Sequence, residues 1–441
     1  MESGAHGCAD AALALFEQLL IPSLLEDYRH SLGLRIGGGL FSFSLTVWLG
    51  IRRRLGGGLS IEQTWNSCSP EIALRLSPKS KRSKSGVLSG YASGFDNARR
   101  SIPLSLVEVA ADGIFEEAQA LLVPQAASGW FLIDGSSLSL HSTASLKKAF
   151  PSRGGAGGPS YWSLVKFVVA HDLETGLAVR PEAGPMYGPD AVSEQELAYR
   201  LLERISKGYG VIADRNFGIF QVAWALRDRP MVLRLTDIRA KSMLKGKANF
   251  NDDVDLPHLW RASKAEARAH EELKDSFVPG RIVCRKVLGP KGKLVNVSLF
   301  TNDLMSSAED LVRLYTKRWN VETDLRSFKQ TLGMQMVGAQ SPEMVLKELI
   351  LGSAAYNIIR TVMALAAQKA GVQPRQLSFA RAKGCIEIFA GRGPITDEAI
   401  DEMLVLIAVR KLPNRKEQQS YPRQVWTRQP RYPARKKITN E

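Results

Sequence analysis

Two periods of hydrophobic spacing divide the chain. Residues 11–18, 23–31, 40–49 and the stretch from Ile61 repeat apolar positions at helical intervals and predict a compact helical start. Residues 78–100 break the pattern: KSKRSKSG reads as a basic, serine-rich linker, ahead of a helix over 104–122. From Trp130 the period is that of strands. WFLID predicts a short buried strand ending at Asp134, with a turn over 135–137 and a second strand at 138–140. Residues 160–170 and 177–180 suggest a hairpin around DLETG, and 193–205 a capped helix. GVIAD follows as a buried strand ending at Asp214, NFGIFQVAWAL as a helix and PMVLRL as a strand. Residues 237–277 look charged and irregular, and RIVCRKVL and LVNVSLF then form strands joined by GPKGK. Such alternation predicts an α/β protein with a mixed sheet covered by helices.

The stretch 311–332, LVRLYTKRWNVETDLRSFKQTL, predicts one amphipathic helix. Leu314, Val321, Leu325, Phe328 and Leu332 share its core-facing side, while Tyr315, Arg318, Glu322 and Lys329 fall within about 60° of one another beside it. Their span of about 21 Å suits a long polyanion better than a small metabolite. Alternatively, Arg318 and Glu322 form an ordinary i,i+4 pair. Further helices are expected at 341–368, 377–389 and 397–409.

Composition narrows the partner. The 441 residues hold 59 Lys and Arg against 44 Asp and Glu, a net charge of +15 that points to nucleic acid or an acidic membrane surface. The longest uncharged apolar run, 36–51, contains consecutive glycines and is too short to span a membrane, so no membrane role is expected. Acidic residues near the N-terminus, where a secretory leader would be basic, predict a cytoplasmic protein. Four widely separated cysteines and six scattered histidines argue against zinc or a disulfide framework, leaving carboxylates to carry any metal chemistry. Asp134 can instead shape a turn with Gly135, and Asp214 can cap the helix that follows it.

The four polar residues of 311–332, separated by two, three and six positions, with Trp319 after the arginine and Leu332 beyond, resemble the YREK signature of DDE transposases of insertion-sequence family four. DGSSLSL at Asp134 resembles that family's first acidic region and ADRNFG at Asp214 its second. Ala98, Arg99, Ile102 and Pro103 resemble the A-R-x-x-[IL]-P segment of its end-binding domain. The resemblance covers residues 90–332 and the basic tail.

It implies a ribonuclease-H-like catalytic domain over 126–340 with a β-rich insertion at about 237–300. A helical DNA-binding region would occupy 1–125, a helical and dimerising region 341–410, and a basic flexible tail 411–441. Asp134, Asp214 and Glu322 would be catalytic residues and ligands of a two-metal Mg²⁺ site, Mn²⁺ being the other candidate. Tyr315, Arg318 and Lys329 would hold DNA phosphate near the transposon terminus, with Arg99 and Arg215 as further contacts; Arg215 can equally be an exposed turn residue. Trp260, the only tryptophan of the insertion, would hold a flipped base during hairpin formation, or simply anchor packing. The partners implied are double-stranded DNA, as inverted repeats and as target, and a second copy of the chain in a synaptic homodimer. Two rivals remain: a transposase-derived DNA-binding protein without catalysis, and a ribonuclease-H-like nuclease of other specificity.

Overall fold

Serine hydroxyls start the early helices. The computed structural model describes residues 11–19, 28–29, 31–33, 39–88, 91–126, 129–152, 161–288, 294–390 and 397–412. Most of the expected helix at 23–31, the GPKGK turn and the basic tail beyond 412 lie outside these residues. Helix α1 (Ala11–Leu19) precedes α2 (Phe43–Leu55), α3 (Ile61–Asn66), α4 (Pro70–Leu76) and α5 (Lys81–Ser85). Ser42, Ser60, Ser69 and Ser80 each accept a first-turn N–H that would otherwise be orphaned. The expected basic linker is thus a capped helical turn, with Ser80 and Ser83 buried. Helices α6 (Ser93–Ser101) and α7 (Leu104–Ala126) complete this layer.

Strand β1 (Trp130–Leu140) runs unbroken through Gly135, where a turn was expected. Its residues 131–140 pair antiparallel with β2 (Ser163–Asp172), and that continuous ladder leaves no place for a reversal. Helix α8 (Ala144–Ala149) lies between the two. The hairpin around DLETG forms, but its return strand is β3 (Glu182–Pro185); Ala178 contributes only a single bridge to His171. Ser193 caps α9 (Glu194–Leu202), which leads to β4 (Gly210–Ala213). Helix α10 (Phe220–Ala225) then leads to β5 (Met231–Arg234). β4 lies parallel to β1, and β5 parallel to β4. The order β3-β2-β1-β4-β5 is the ribonuclease-H-like arrangement.

The insertion lengthens this sheet. After α11 (Asp237–Leu244) come β6 (Val254–Arg261), α12 (Lys264–Ala269), β7 (Phe277–Leu288) and β8 (Leu294–Thr301). β8 pairs antiparallel with β5, and the order continues β8-β7-β6. Strand β6 lies in the segment expected to be irregular. Pro257 and the flanking charges hide it in the sequence, and as the outer strand of the sheet it tolerates a proline.

The stretch 311–332 is not one helix. α13 (Ala308–Thr316) and α14 (Trp319–Arg326) are separated by a tightened turn in which Arg318, Asn320 and Val321 donate to carbonyls three residues back. A π turn, Ser327–Thr331, follows α14. The core-facing stripe survives, with Val321, Leu325, Phe328 and Leu332 buried. Strand β9 (Met336–Val337) then pairs parallel with the far end of β1.

Helices α15 (Pro342–Lys369), α16 (Phe379–Ala390) and α17 (Asp397–Ala408) close the chain. α15 is long and apolar enough to cross a membrane, but 89% of its apolar window is buried inside the protein. It packs against α2, α7 and α17, so the helical segments from the two ends of the chain share one core. Most of α15, which opens the region 341–410 expected to dimerise, is buried within the chain itself.

Candidate active site

Strand register places the two aspartates. Ile133 of β1 pairs with Ala213 of β4 in parallel, so Asp134 and Asp214 follow at one level on neighbouring strands, about 5 Å apart at the backbone. β4 ends there, and Asp214 Oδ1 accepts the Asn216 N–H at 2.8 Å, which turns the chain outward. Asp134 Oδ1 accepts the Gly135 N–H at 2.8 Å. Burial, with the charge of Asp214 and then Glu194 adding to it, pushes the Asp134 carboxyl up to about 6 against the opposing pull of Arg318.

The broken helix delivers the other groups. The Arg318 guanidinium lies 3.9 Å from Asp134 and 3.2 Å from Glu322 Oε1 on the first turn of α14. The ordinary i,i+4 pair thus exists and also reaches the aspartate. Tyr315, at the end of α13, is 5% exposed, and its buried hydroxyl has no hydrogen-bond partner among the described residues. Arg234, at the end of β5, stands over the Tyr315 ring at 5.9 Å. Lys329, in the π turn, lies 3.2 Å from the Ser136 hydroxyl, two residues beyond Asp134 and so on the same face of β1; burial lowers its pKa.

Three further expectations fare differently. Arg215 is exposed on the turn after Asp214. Arg99 lines a cleft of about 670 Å³ with Arg53, Arg100 and Gln340, yet its guanidinium is bonded to Asp96 at 2.7 Å and to Glu348 at 3.3 Å, which argues for a structural role. Trp260 is 6% exposed, with its ring edge-on to Phe300 at 4.8 Å and to Phe220 at 6.2 Å. It is a core side chain of the extended sheet, the packing anchor that was the alternative expectation. The exposed ring beside the carboxylates is Trp319, 44% exposed and lying against Arg318. In the sequence Trp319 is only context for the signature and Asn216 only a member of ADRNFG, while nothing marks Glu194 or Arg234.

Among the described residues, no three His, Cys, Asp or Glu side chains are gathered closely enough to hold a metal ion as they stand. The donor chemistry nevertheless fits a hard divalent cation. Asp134, Asp214 and Glu322 offer only oxygen, and Asp134, raised by burial and then by the neighbouring Asp214, is a carboxylate whose ionised form a bound cation would favour.

Comparison with known proteins agrees with this geometry. The pattern of the transposase DDE domain matches residues 128–358, just over half of the chain, and takes in Asp134, Asp214 and the whole YREK stretch. The chain is also 27% identical over 299 residues to the transposase InsG for insertion sequence element IS4 of Escherichia coli strain K12. That match covers 65% of this chain and spans 65% of the relative, just under two thirds of its length. The chain belongs to the DDE transposase family.

Proposed function

We propose that this protein is the transposase of an insertion sequence, acting on double-stranded DNA. It binds the inverted-repeat ends, cuts them by phosphoryl transfer and joins the released 3′ ends to target DNA. The observation that carries this reading is that Asp134 and Asp214 lie side by side at the ends of paired strands while Arg318 links Asp134 to Glu322, with Lys329 on the same face of β1.

In this reading Asp134, Asp214 and Glu322 hold divalent cations, which the family generally uses. A divalent cation, Mg²⁺ or Mn²⁺ and two of them in a two-metal site, would supply Lewis-acid stabilisation of the attacking and leaving oxygens. Arg318 and Lys329 bind phosphate oxygens by charge, and the Tyr315 hydroxyl donates a hydrogen bond to one. Glu322 would serve the cation and Arg318 the DNA phosphate. Trp319, in place of Trp260, offers the ring on which an unpaired base can stack.

A water oxygen attacks the phosphorus at the element's end and releases a 3′-hydroxyl. That hydroxyl attacks a phosphorus of the opposite strand, displacing the 3′-hydroxyl of the flanking DNA and closing a hairpin, which a second water opens. The freed 3′-hydroxyl then attacks a target phosphate. Two ends joined together require two protomers, so the working form is a homodimer in a synaptic complex, in the cytoplasm where the DNA lies.

Glu322→Gln tests the proposal. Mg²⁺-dependent cleavage of the element's own ends should be abolished, while gel-shift affinity for those ends stays close to wild type. Undiminished cleavage by the variant refutes the assignment. Wild-type protein that binds the ends without cutting them would instead be a transposase-derived regulator.

A further inference from the structure

Glu194 opens α9 directly after its Ser193 cap, where an acidic residue is common for helix-dipole reasons alone. Its surroundings go beyond that. The Glu194 carboxylate accepts a hydrogen bond from the Asn216 side-chain amide. Gln195 donates to the Asn216 carbonyl at 2.7 Å and to its Oδ1 at 3.2 Å. Asn216 in turn donates its N–H to Asp214 Oδ1 at 2.8 Å. On its other side Glu194 lies against Gly135, whose N–H is bonded to Asp134. A Cβ at position 135 would stand 2.6 Å from Glu194 Cδ and under 3 Å from both carboxylate oxygens.

We propose that Glu194 is a positioning residue: wedged between Gly135 and Asn216, its carboxylate sets the separation of Asp134 and Asp214. The inference rests on the reading of those aspartates as cation ligands. A hard cation requires its oxygens within a few tenths of an ångström of fixed distances, and the groups that orient ligands commonly alter affinity about 10- to 100-fold. Glycine at 135 has a specific reason here, since any side chain would claim the space of the wedge. Acting as a hydrogen-bond acceptor, Glu194 can be replaced by glutamine, whose Oε1 accepts equally well from Asn216. As a ligand in its own right, it could not be.

The test is Mn²⁺ titrated into the full-length protein and followed by electron paramagnetic resonance, with thermal unfolding measured in parallel without metal. Glu194→Ala and Gly135→Ala should each raise the half-saturating Mn²⁺ concentration about 10-fold or more. Glu194→Gln should stay close to wild type. The double variant Glu194→Ala/Gly135→Ala should be no worse than Glu194→Ala alone, because the added methyl then meets no carboxylate. Should Glu194→Ala prove too unstable to titrate, Gly135→Ala compared with wild type decides. Wild-type affinity in Glu194→Ala or Gly135→Ala overturns the wedge alone, as does a Glu194→Gln variant as impaired as Glu194→Ala. A wild-type protein that binds no Mn²⁺, or an Asp134→Asn variant that binds it normally, overturns the underlying reading of the site.

Discussion

A buried tyrosine hydroxyl with no partner normally costs about 1–3 kcal/mol, and that of Tyr315, beside Arg318, has none among the described residues. Removing it should relieve the fold and harm only recognition. Tyr315→Phe is expected to leave the thermal midpoint unchanged or slightly raised, and to weaken binding of the terminal DNA about 5- to 10-fold by fluorescence anisotropy, the worth of one hydrogen bond. Lower stability with unaltered binding would return Tyr315 to a core role. At this scale the sequence is legible where a lone charge ends an apolar run, as at Asp134 and Asp214. It is opaque at Glu194 and Asn216, which look like a routine first-turn acid and a routine turn amide. Their partners are gathered by the fold from β1, α9 and the turn after β4. Trp260 misleads for a similar reason: Phe220 and Phe300, which bury it, come from α10 and β8.

The element that presents Glu322 is held from beneath. Asp324 is fully buried on α14 and takes Arg360 of α15 and, at 2.9 Å, Arg375. Burial alone would raise its pKa, but Arg375 and Arg360 hold it below the usual carboxylate range. Asp324→Ala strands two largely buried guanidinium groups and should cost about 3–5 kcal/mol, read as a lower urea midpoint at unchanged slope. His171 of β2 faces the same cluster, edge-on to Tyr356 at 5.5 Å. Burial lowers its pKa to about 4, with Arg375 and Arg360 adding to the shift and Asp324 opposing it. The unfolded chain takes up this proton below about 6.5 and the folded one does not, so stability is complete above that pH and declines as pH falls towards 4. The loss is on the order of 3 kcal/mol, and His171→Phe should flatten the thermal midpoint over that window. A helical wheel finds the buried stripe of α13 and α14 but not the break between them. Hydrophobic spacing tolerates one tightened turn and one π turn without losing its face, so periodicity alone cannot expose either.

Over the whole molecule, the net charge of +15 is a poor map of the DNA surface. Arg53 and Arg54 of α2 and Arg99 of α6 converge on the buried Glu348 of α15, while Arg360 and Arg375 serve Asp324. These cations bind the protein to itself. β1, β2, β4 and β5 are accessible from sequence because each has its own apolar run, but β3, with the sequence EAGP, is not, and spacing alone gives no strand order. The joining of the first and last helices around α15 is not accessible either, since no local pattern reports which distant helix covers a face.

The arginine knot at Glu348 gives α15 the mechanical character of a shared axle. From residue 348 to residue 360 it runs about 18 Å, with the N-terminal helices gripping one point and the helix of Glu322 gripping the other. A fragment of residues 1–126 should therefore lack a cooperative melting transition when made alone and regain one when co-expressed with 127–441, as followed by calorimetry. Deletion mapping would then misreport where DNA is bound, because cutting away either half removes the bearing on which the other turns.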